Sequence, residues 1–482
     1  MDVQLQVLSE AERELIHAES LRILSEVGVR FHGDKALGIL ETHGAKVSRE
    51  HKVARIPQEL VSQALATAPK SFVLQARNPD LSYRLPSVLP GYGMDGTCAF
   101  AVDFETGERR YGTTEDIRNA LRVFQALDLA VMAWSPTCAS DRPANARPLH
   151  EFFAMLRHCS KHGQHELHRV AQVPYLVAGL KAILGSEDAI KAKKICSLIY
   201  CPVSPLVHDG QMLDAYLELG EFELPVMIMP MPVTGTTGPA SLFSNICLAN
   251  AETLSAIVVF QLAHPGRQLI YSDAVGTMDF ATGGFLAGAP ETALQATGLV
   301  TMGRHYNLPT TSTGCSADAK EPGAQAVLEK LLTTLPCVLA GSDMIVGVGL
   351  IECSQTLVLE QIVVDNEIGH LCQRIRQGID TGEQRNLFAD IAQAGPGGNF
   401  LKSRSTRQAA RSGEFSRTTL ADRQPYEAWV KQGMPSIYTR AREKVQAILA
   451  APQVDPLPES VSDELDEILR AADRDIPTEA GR

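Results

Sequence analysis

The sequence predicts an α/β fold: a (β/α)8 TIM barrel with an N-terminal helical and hairpin extension and a C-terminal helical tail. Three observations lead there. Four strand-like runs begin near residues 224, 267, 308 and 343, and a helix-like run follows each. Those helices open with Pro239, Pro290, Pro322 and Ser354 at or near their caps. No GxGxxG opens any of them, and Gly, Ser, Thr, Asp and aromatic residues gather after successive strands. That pattern fits a closed barrel better than an open doubly wound sheet.

Residues 1–125 read as the extension. Ser9 and Glu12 form a capping-box pattern ahead of apolar Ile16, Ile23, Leu24 and Val27, and Gly28 ends that helix. A second helix precedes Gly44; a third opens at Pro57 and closes before Pro69. The stretch GYGMDGTCAFAVDFETGERRYG (91–112) is β-like, with a hairpin turn at Glu105–Glu108. Thr113 and Asp116 then start an amphipathic helix through Ile117, Leu121 and Phe124.

Residues 126–395 read as the catalytic barrel. Its strands fall in LAVMAWSP (129–136), KICSLIYCPVSPL (194–206), LPVMIMPMPV (224–233), RQLIYSD (267–273), LPTTSTG (308–314) and DMIVGVGLI (343–351). A strand near His165–Val170 and an eighth carry no clear pattern. From 396 to 482 come a glycine loop, a basic-polar stretch, a helix around Ser436–Leu449, and an acidic tail with a short helix over Asp463–Ala472.

Composition narrows the function. The 482 residues are 45% hydrophobic and 21% charged with net charge −12, and no Lys/Arg run longer than a pair stands clear of Lys191–Lys194. Nucleic acid and anionic membrane surfaces are therefore excluded as partners. The N-terminus lacks a basic, then apolar, leader, and no uncharged apolar span of 18 residues occurs. Ten cysteines without CxxC spacing are read as reduced thiols of a cytoplasmic protein.

A barrel places its active site at the C-terminal ends of the strands. The candidates there are Trp134, Met231, Tyr271, Asp273, Thr313, Ser316, Asp318, Lys320 and Gly347. Lys320 admits three readings: a solvated loop lysine, a Schiff-base nucleophile with a lowered pKa, or an anchor for a substrate carboxylate. His162, His165 and His168 sit three apart, a spacing that on one helix would allow a metal, although Gly163 breaks such a helix. Glu360, Asp365 and Glu367 read as a solvated face of the last barrel helix, and Glu252 as a buried cap for a neighbouring loop.

Taken together, SPLVHDGQMLDAYLELGEFELPVMIMPMPVTGTTGPASL, NAETLSAIVVFQLAHPG, GAPETALQATGL, ADAKEPGAQAVLEK, LAGSDMIVGVGLIE and LEQIVVDNEI resemble the trimethylamine methyltransferase family. LSEAERELIHAESLRILSEVGV near the N-terminus, and GPGGNFL and YEAWVKQG in the tail, are similar too, so the resemblance spans nearly the whole chain. It implies a barrel enzyme that passes a methyl group to Co(I) of a separate corrinoid protein docking at the barrel mouth. No cofactor and no metal would belong to this chain, which also lacks the DxHxxG of corrinoid carriers. Some family members carry pyrrolysine in a segment resembling ADAKEPGAQA, where this sequence has Lys320.

An ordinary lysine has no imine to capture a tertiary amine. The resemblance therefore implies a quaternary amine substrate, glycine betaine first, with choline-, carnitine- and proline-betaine-like compounds behind it. Lys320 and Asp318 are the expected orienting residues. Trp134, Tyr271 and Asp273 would meet the cation, and Thr313, Ser316, Met231 and Gly347 would complete the pocket. Trimethylamine turnover, a Schiff-base aldolase using Lys320, and a non-catalytic quaternary-amine binder remain the alternatives. A homo-oligomer is expected. Where the family often reads FL-x-x-x-HT, this chain has FLKSRST with Ser405 in place of the His.

Overall fold

The computed structural model describes residues 3–409 and 411–478. At its centre stand eight strands: β1 (Gly91–Met94), β2 (Ala130–Trp134), β3 (His162–His165), β4 (Cys196–Tyr200), β5 (Val226–Ile228), β6 (Leu269–Tyr271), β7 (Thr311–Ser312) and β8 (Met344–Val348). They pair in the order β6-β5-β4-β3-β2-β1-β8-β7, parallel throughout. The last gap closes where Tyr271 pairs in parallel with Thr310 and its N–H donates to the Pro309 carbonyl at 2.9 Å. A helix follows each strand: α1 (Thr114–Gln125), α2 (Arg147–His158), α3 (Val173–Leu184), α4 (Gly210–Glu218), α5 (Leu242–Ala263), α6 (Pro290–His305), α7 (Ala324–Ala340) and α8 (Leu359–Arg376). This is the predicted (β/α)8 barrel. Strands such as β4 and β8 are buried along their whole length, which is why they read as continuous apolar runs.

Two strands carry no such run. The barrel begins at Gly91, before the boundary expected at 126, because β1 is half glycine. A side chain at Gly91 would meet Val131 Cγ2 at 2.4 Å, and one at Gly93 would meet Val346 Cγ1 at 2.9 Å. Glycine is what lets β1 fit between β2 and β8. The hairpin is present, as Phe100–Val102 against Arg109–Tyr111, but it is an insertion between β1 and α1. It pairs with Thr356–Leu357, just after β8, and so lies at the C-terminal end of the barrel. The third strand is His162–His165, earlier than His165–Val170; its histidines hide it from any apolar pattern.

α5 is 22 residues long and by length and composition could cross a membrane, yet 89% of its most apolar window is buried inside the fold. Helices Glu10–Arg22 and Gln58–Thr67 cover it. Glu252 within it accepts from the Leu206 N–H (2.9 Å) and Ser204 Oγ (2.8 Å), the loop-capping role expected. Burial pushes that carboxyl up to about 7.

The tail covers the barrel. α9 (Ile437–Ala450) packs on α8, and α10 (Glu459–Asp475) on α2 and α3. That packing corrects the expected solvated acidic face of α8. Glu360 pairs with Arg442, Glu367 accepts from Thr418 and Thr419, and Asp365 is buried against Lys330. Ser405 bonds Asp390 within the tail.

Candidate active site

Because all eight strands run the same way, their C-terminal ends share one face, the mouth. The residues that end them include Asp95 after β1, Trp134 in β2, Glu166 after β3, Cys201 after β4, Ser272 and Asp273 after β6, and Thr313 after β7. No lysine or arginine stands at the end of any strand. Carboxylates and an indole thus dominate, a composition suited to a cation.

Asp273 stands out among the carboxylates. It is 1% exposed, its Oδ1 accepts from Thr313 Oγ1 at 3.3 Å, and its Oδ2 has no partner. Burial pushes the carboxyl up to about 7, against the pull of Ser312 and Thr313. Ser272 Oγ and Thr311 Oγ1, on either side of the β6–β7 seam, are likewise buried without partners. Asp95 accepts from Ser354 Oγ (2.9 Å) and Gly96 N–H (3.0 Å), and burial raises it despite both. Asp95 and Glu166 lie within electrostatic reach of each other. Burial also pushes Glu166 up, but His168, 3.7 Å away, and His165 outweigh it and hold the group below its ordinary value. Trp134 is buried with its indole Nε1 unpartnered. A Cβ on Gly96 would fall 2.0 Å from that nitrogen, so the glycine is the indole's wall.

The structure therefore brings Asp273 and Thr313 into contact and sets Trp134 on the same face. Met231 sits on the rim, 45% exposed. Five expected site residues are placed differently. Tyr271 points outward: its hydroxyl donates to Asn250 Oδ1 of α5 at 2.9 Å, because successive strand residues alternate in direction. Ser316 donates to the Thr313 carbonyl at 2.8 Å and so ties its own loop. Gly347 has φ +115°, and a Cβ there would meet Cys315 O at 2.5 Å, so its role is close approach of two backbones. Asp318 Oδ1 accepts from the N–H groups of Ala287 (2.6 Å) and Gly288 (3.0 Å), pinning the loop after β6. Lys320 is exposed on the loop after β7, its Nζ donating to Asp318 O at 2.6 Å.

The lysine buried beside this loop is Lys330, on α7. Its Nζ donates to Cys315 O (2.9 Å), Gly347 O (3.0 Å) and Asp365 Oδ2 (2.9 Å), fastening the loop after β7 to β8 and α8. Burial works against its charge, but Asp365 outweighs burial and keeps the ammonium protonated. The three histidines lie on and after a strand and diverge. His162 meets Gln75 O, His165 meets Glu151, and His168 faces Glu166. Among the described residues no group of three or more His, Cys, Asp or Glu is placed to hold a metal ion. Sequence reasoning missed Asp95 because its β-like stretch was assigned to the extension and not to the barrel, and Glu166 because the strand before it was expected a few residues later; Lys330 offered no local signal.

The family model "Trimethylamine methyltransferase (MTTB)" matches residues 2–477. Trimethylamine methyltransferase MttB of Methanosarcina barkeri is 30% identical over 487 residues, covering 98% of this chain and 96% of the relative. Glycine betaine methyltransferase of Desulfitobacterium hafniense (strain Y51) is 30% identical over 461 residues, covering 93% and 94%. Among solved structures, a hydroxylamine complex of MtmB superposes with a TM-score of 0.52 at 11% identity, covering 92% of this chain and 89% of that one. The Methanosarcina barkeri monomethylamine methyltransferase MtmB gives 0.50 at 11% identity, with 91% and 87% covered. These two speak for the fold alone.

Proposed function

The chain belongs to the trimethylamine methyltransferase family of corrinoid-dependent methyltransferases, and we propose that it demethylates a quaternary amine, glycine betaine foremost. The carrying observation is the mouth itself: Asp95, Glu166 and Asp273 at strand ends, buried Trp134 among them, and no strand-end cation. A trimethylammonium head is bound by such a set through charge and through the indole face, the latter worth up to about 2 kcal/mol when desolvated. Position 320 is an ordinary lysine, without the imine that would activate a tertiary amine. A quaternary nitrogen needs none: as the methyl leaves, the nitrogen keeps the C–N electron pair and departs neutral. The chain's work is to bind the cation, exclude water and hold the C–N bond in one orientation.

The methyl acceptor fits a partner rather than a resident group. Loops on the mouth side expose Tyr111, Val203, Met231, Phe280 and Phe285, an apolar rim suited to a docked protein. A corrinoid delivered there supplies the Co(I) nucleophile. Lys320, on the same side, is the cation that a betaine carboxylate would meet. Self-association is part of this reading. Between 375 and 434 the chain exposes Ile379, Phe388, Leu401, Phe415 and Tyr426 while burying little besides Leu420, and this segment leaves the barrel at the end opposite the mouth. All ten cysteines are free thiols, which supports a cytoplasmic setting.

The test is methyl-Co(III) formation, followed spectroscopically, with a reduced corrinoid protein and a panel of methylamines and betaines. Turnover of a quaternary amine is the expected result. Turnover of trimethylamine alone would overturn the proposal, and so would a borohydride-trapped carbonyl adduct at Lys320.

A further inference from the structure

The face opposite the mouth holds a cavity of about 520 Å³ that methyl transfer does not use. α6, α7 and α8 all end there, through Thr301 and Arg304, Leu339 and Arg376, and the N-terminal segment closes its side with Leu5. Three guanidiniums line it, from Arg13, Arg304 and Arg376, and no carboxylate does.

The three are not equally engaged. Arg304 donates to Gly341 O and to Asp343, so its charge is matched. Arg376 is 9% exposed; its Nη1 donates to the carbonyls of Val3 (2.9 Å) and Leu339 (2.7 Å), and its Nε is buried with no partner. The guanidinium of Arg13, on helix Glu10–Arg22, has no hydrogen-bond or ion-pair partner among the described residues, and its Nε is buried too. Two guanidinium charges therefore face one cavity uncompensated, an arrangement that costs free energy unless an anion completes it.

Helix C-termini ordinarily repel anions. Here the exposed carbonyls at the end of α7, Leu339 O and Gly341 O, are already taken by Arg376 and Arg304. The arginines present N–H donors to the cavity, in the planar forks that match oxyanions.

We propose that this cavity binds a small multivalent oxyanion, of phosphate or carboxylate chemistry, and that Arg13 is its principal ligand. Occupancy ties helix Glu10–Arg22 and the strap at Val3–Leu5, already bonded to Arg376 O and Leu339 O, to the ends of α7 and α8. The site lies away from the mouth, so it stands or falls independently of the substrate.

The experiment measures thermal unfolding and calorimetric binding of the full chain with pyrophosphate, and separately with citrate, at fixed ionic strength with chloride as control. Saturable binding that raises the melting temperature is expected. Arg13→Gln, which breaks no side-chain hydrogen bond or ion pair to the described residues, should fold with an unchanged or higher ligand-free melting temperature and bind at least tenfold more weakly. Response to pyrophosphate only assigns phosphate chemistry, and response to citrate only assigns carboxylate chemistry. No saturable response beyond chloride, or equal responses from wild type and Arg13→Gln, overturns the proposal.

Discussion

Replacing Asp273 with Asn removes a carboxylate whose ionised form the fold holds at a cost. Burial pushes the group up to about 7 from an ordinary 3.8, with Oδ2 unpartnered. Three units at about 1.36 kcal/mol each amount to about 4 kcal/mol. The sign follows from the unfolded chain losing its proton first. Below pH 4 both states are protonated and nothing is lost. As pH rises from about 4 to 7 the folded state falls behind, and above 7 the deficit is constant. Asp273→Asn should therefore match wild type near pH 4 and exceed it by about 4 kcal/mol at pH 8, read from urea unfolding of the ligand-free protein at each pH. A bound quaternary ammonium stabilises the carboxylate, so wild type should release a proton on binding near pH 7, and its affinity should rise through that pH. Calorimetry in two buffers of different ionisation enthalpy reads the proton. A stability gap that does not change between pH 4 and 8 refutes the claim that the fold holds Asp273 as an acid. Unimpaired binding by Asp273→Asn refutes its contact with the cation.

Other outcomes follow from neighbouring residues. Trp134→Leu should raise KM for a quaternary amine by about 10- to 30-fold, the loss of a contact worth up to about 2 kcal/mol, and Gly96→Ala should do likewise by displacing the indole it abuts; steady-state kinetics of both variants is the check. Lys320→Ala should leave the urea midpoint unchanged, since Lys320 is exposed, and raise KM several-fold for glycine betaine but not for choline, whose hydroxyl presents no charge. Lys330→Met strands Asp365 in the core and should cost about 3–5 kcal/mol. The pair Lys330→Met with Asp365→Leu should recover most of that in the same denaturation assay.

The fold was legible where a strand is buried on both faces by aliphatic residues, as in β4, β5 and β8, and illegible where the neighbours dictate the strand. β1 is half glycine because Val131 and Val346 occupy the space its side chains would need; β3 is polar because its side chains bond groups on neighbouring elements, His162 to Gln75 O, His165 to Glu151, and Gln164 accepting from Ser197 Oγ at 3.0 Å. Those two omissions hid Asp95 and Glu166, since a strand-end residue is recognised only once its strand is. Lys330 was passed over and Asp365 misread for a different reason: they stand 35 residues apart on adjacent helices, and only packing makes them a pair. The lysine that local sequence favoured, Lys320, lies on the rim. With the carboxylates located, the chemistry becomes more constrained. A quaternary nitrogen loses its positive charge as the methyl departs, so strong ionic binding would favour the ground state over the transition state and slow the reaction. In the proposed reaction Asp273, raised to about 7, avoids that trap. It can ionise to receive the cation and take a proton back once the nitrogen is neutral, which weakens its hold on the product and frees the site for the next substrate.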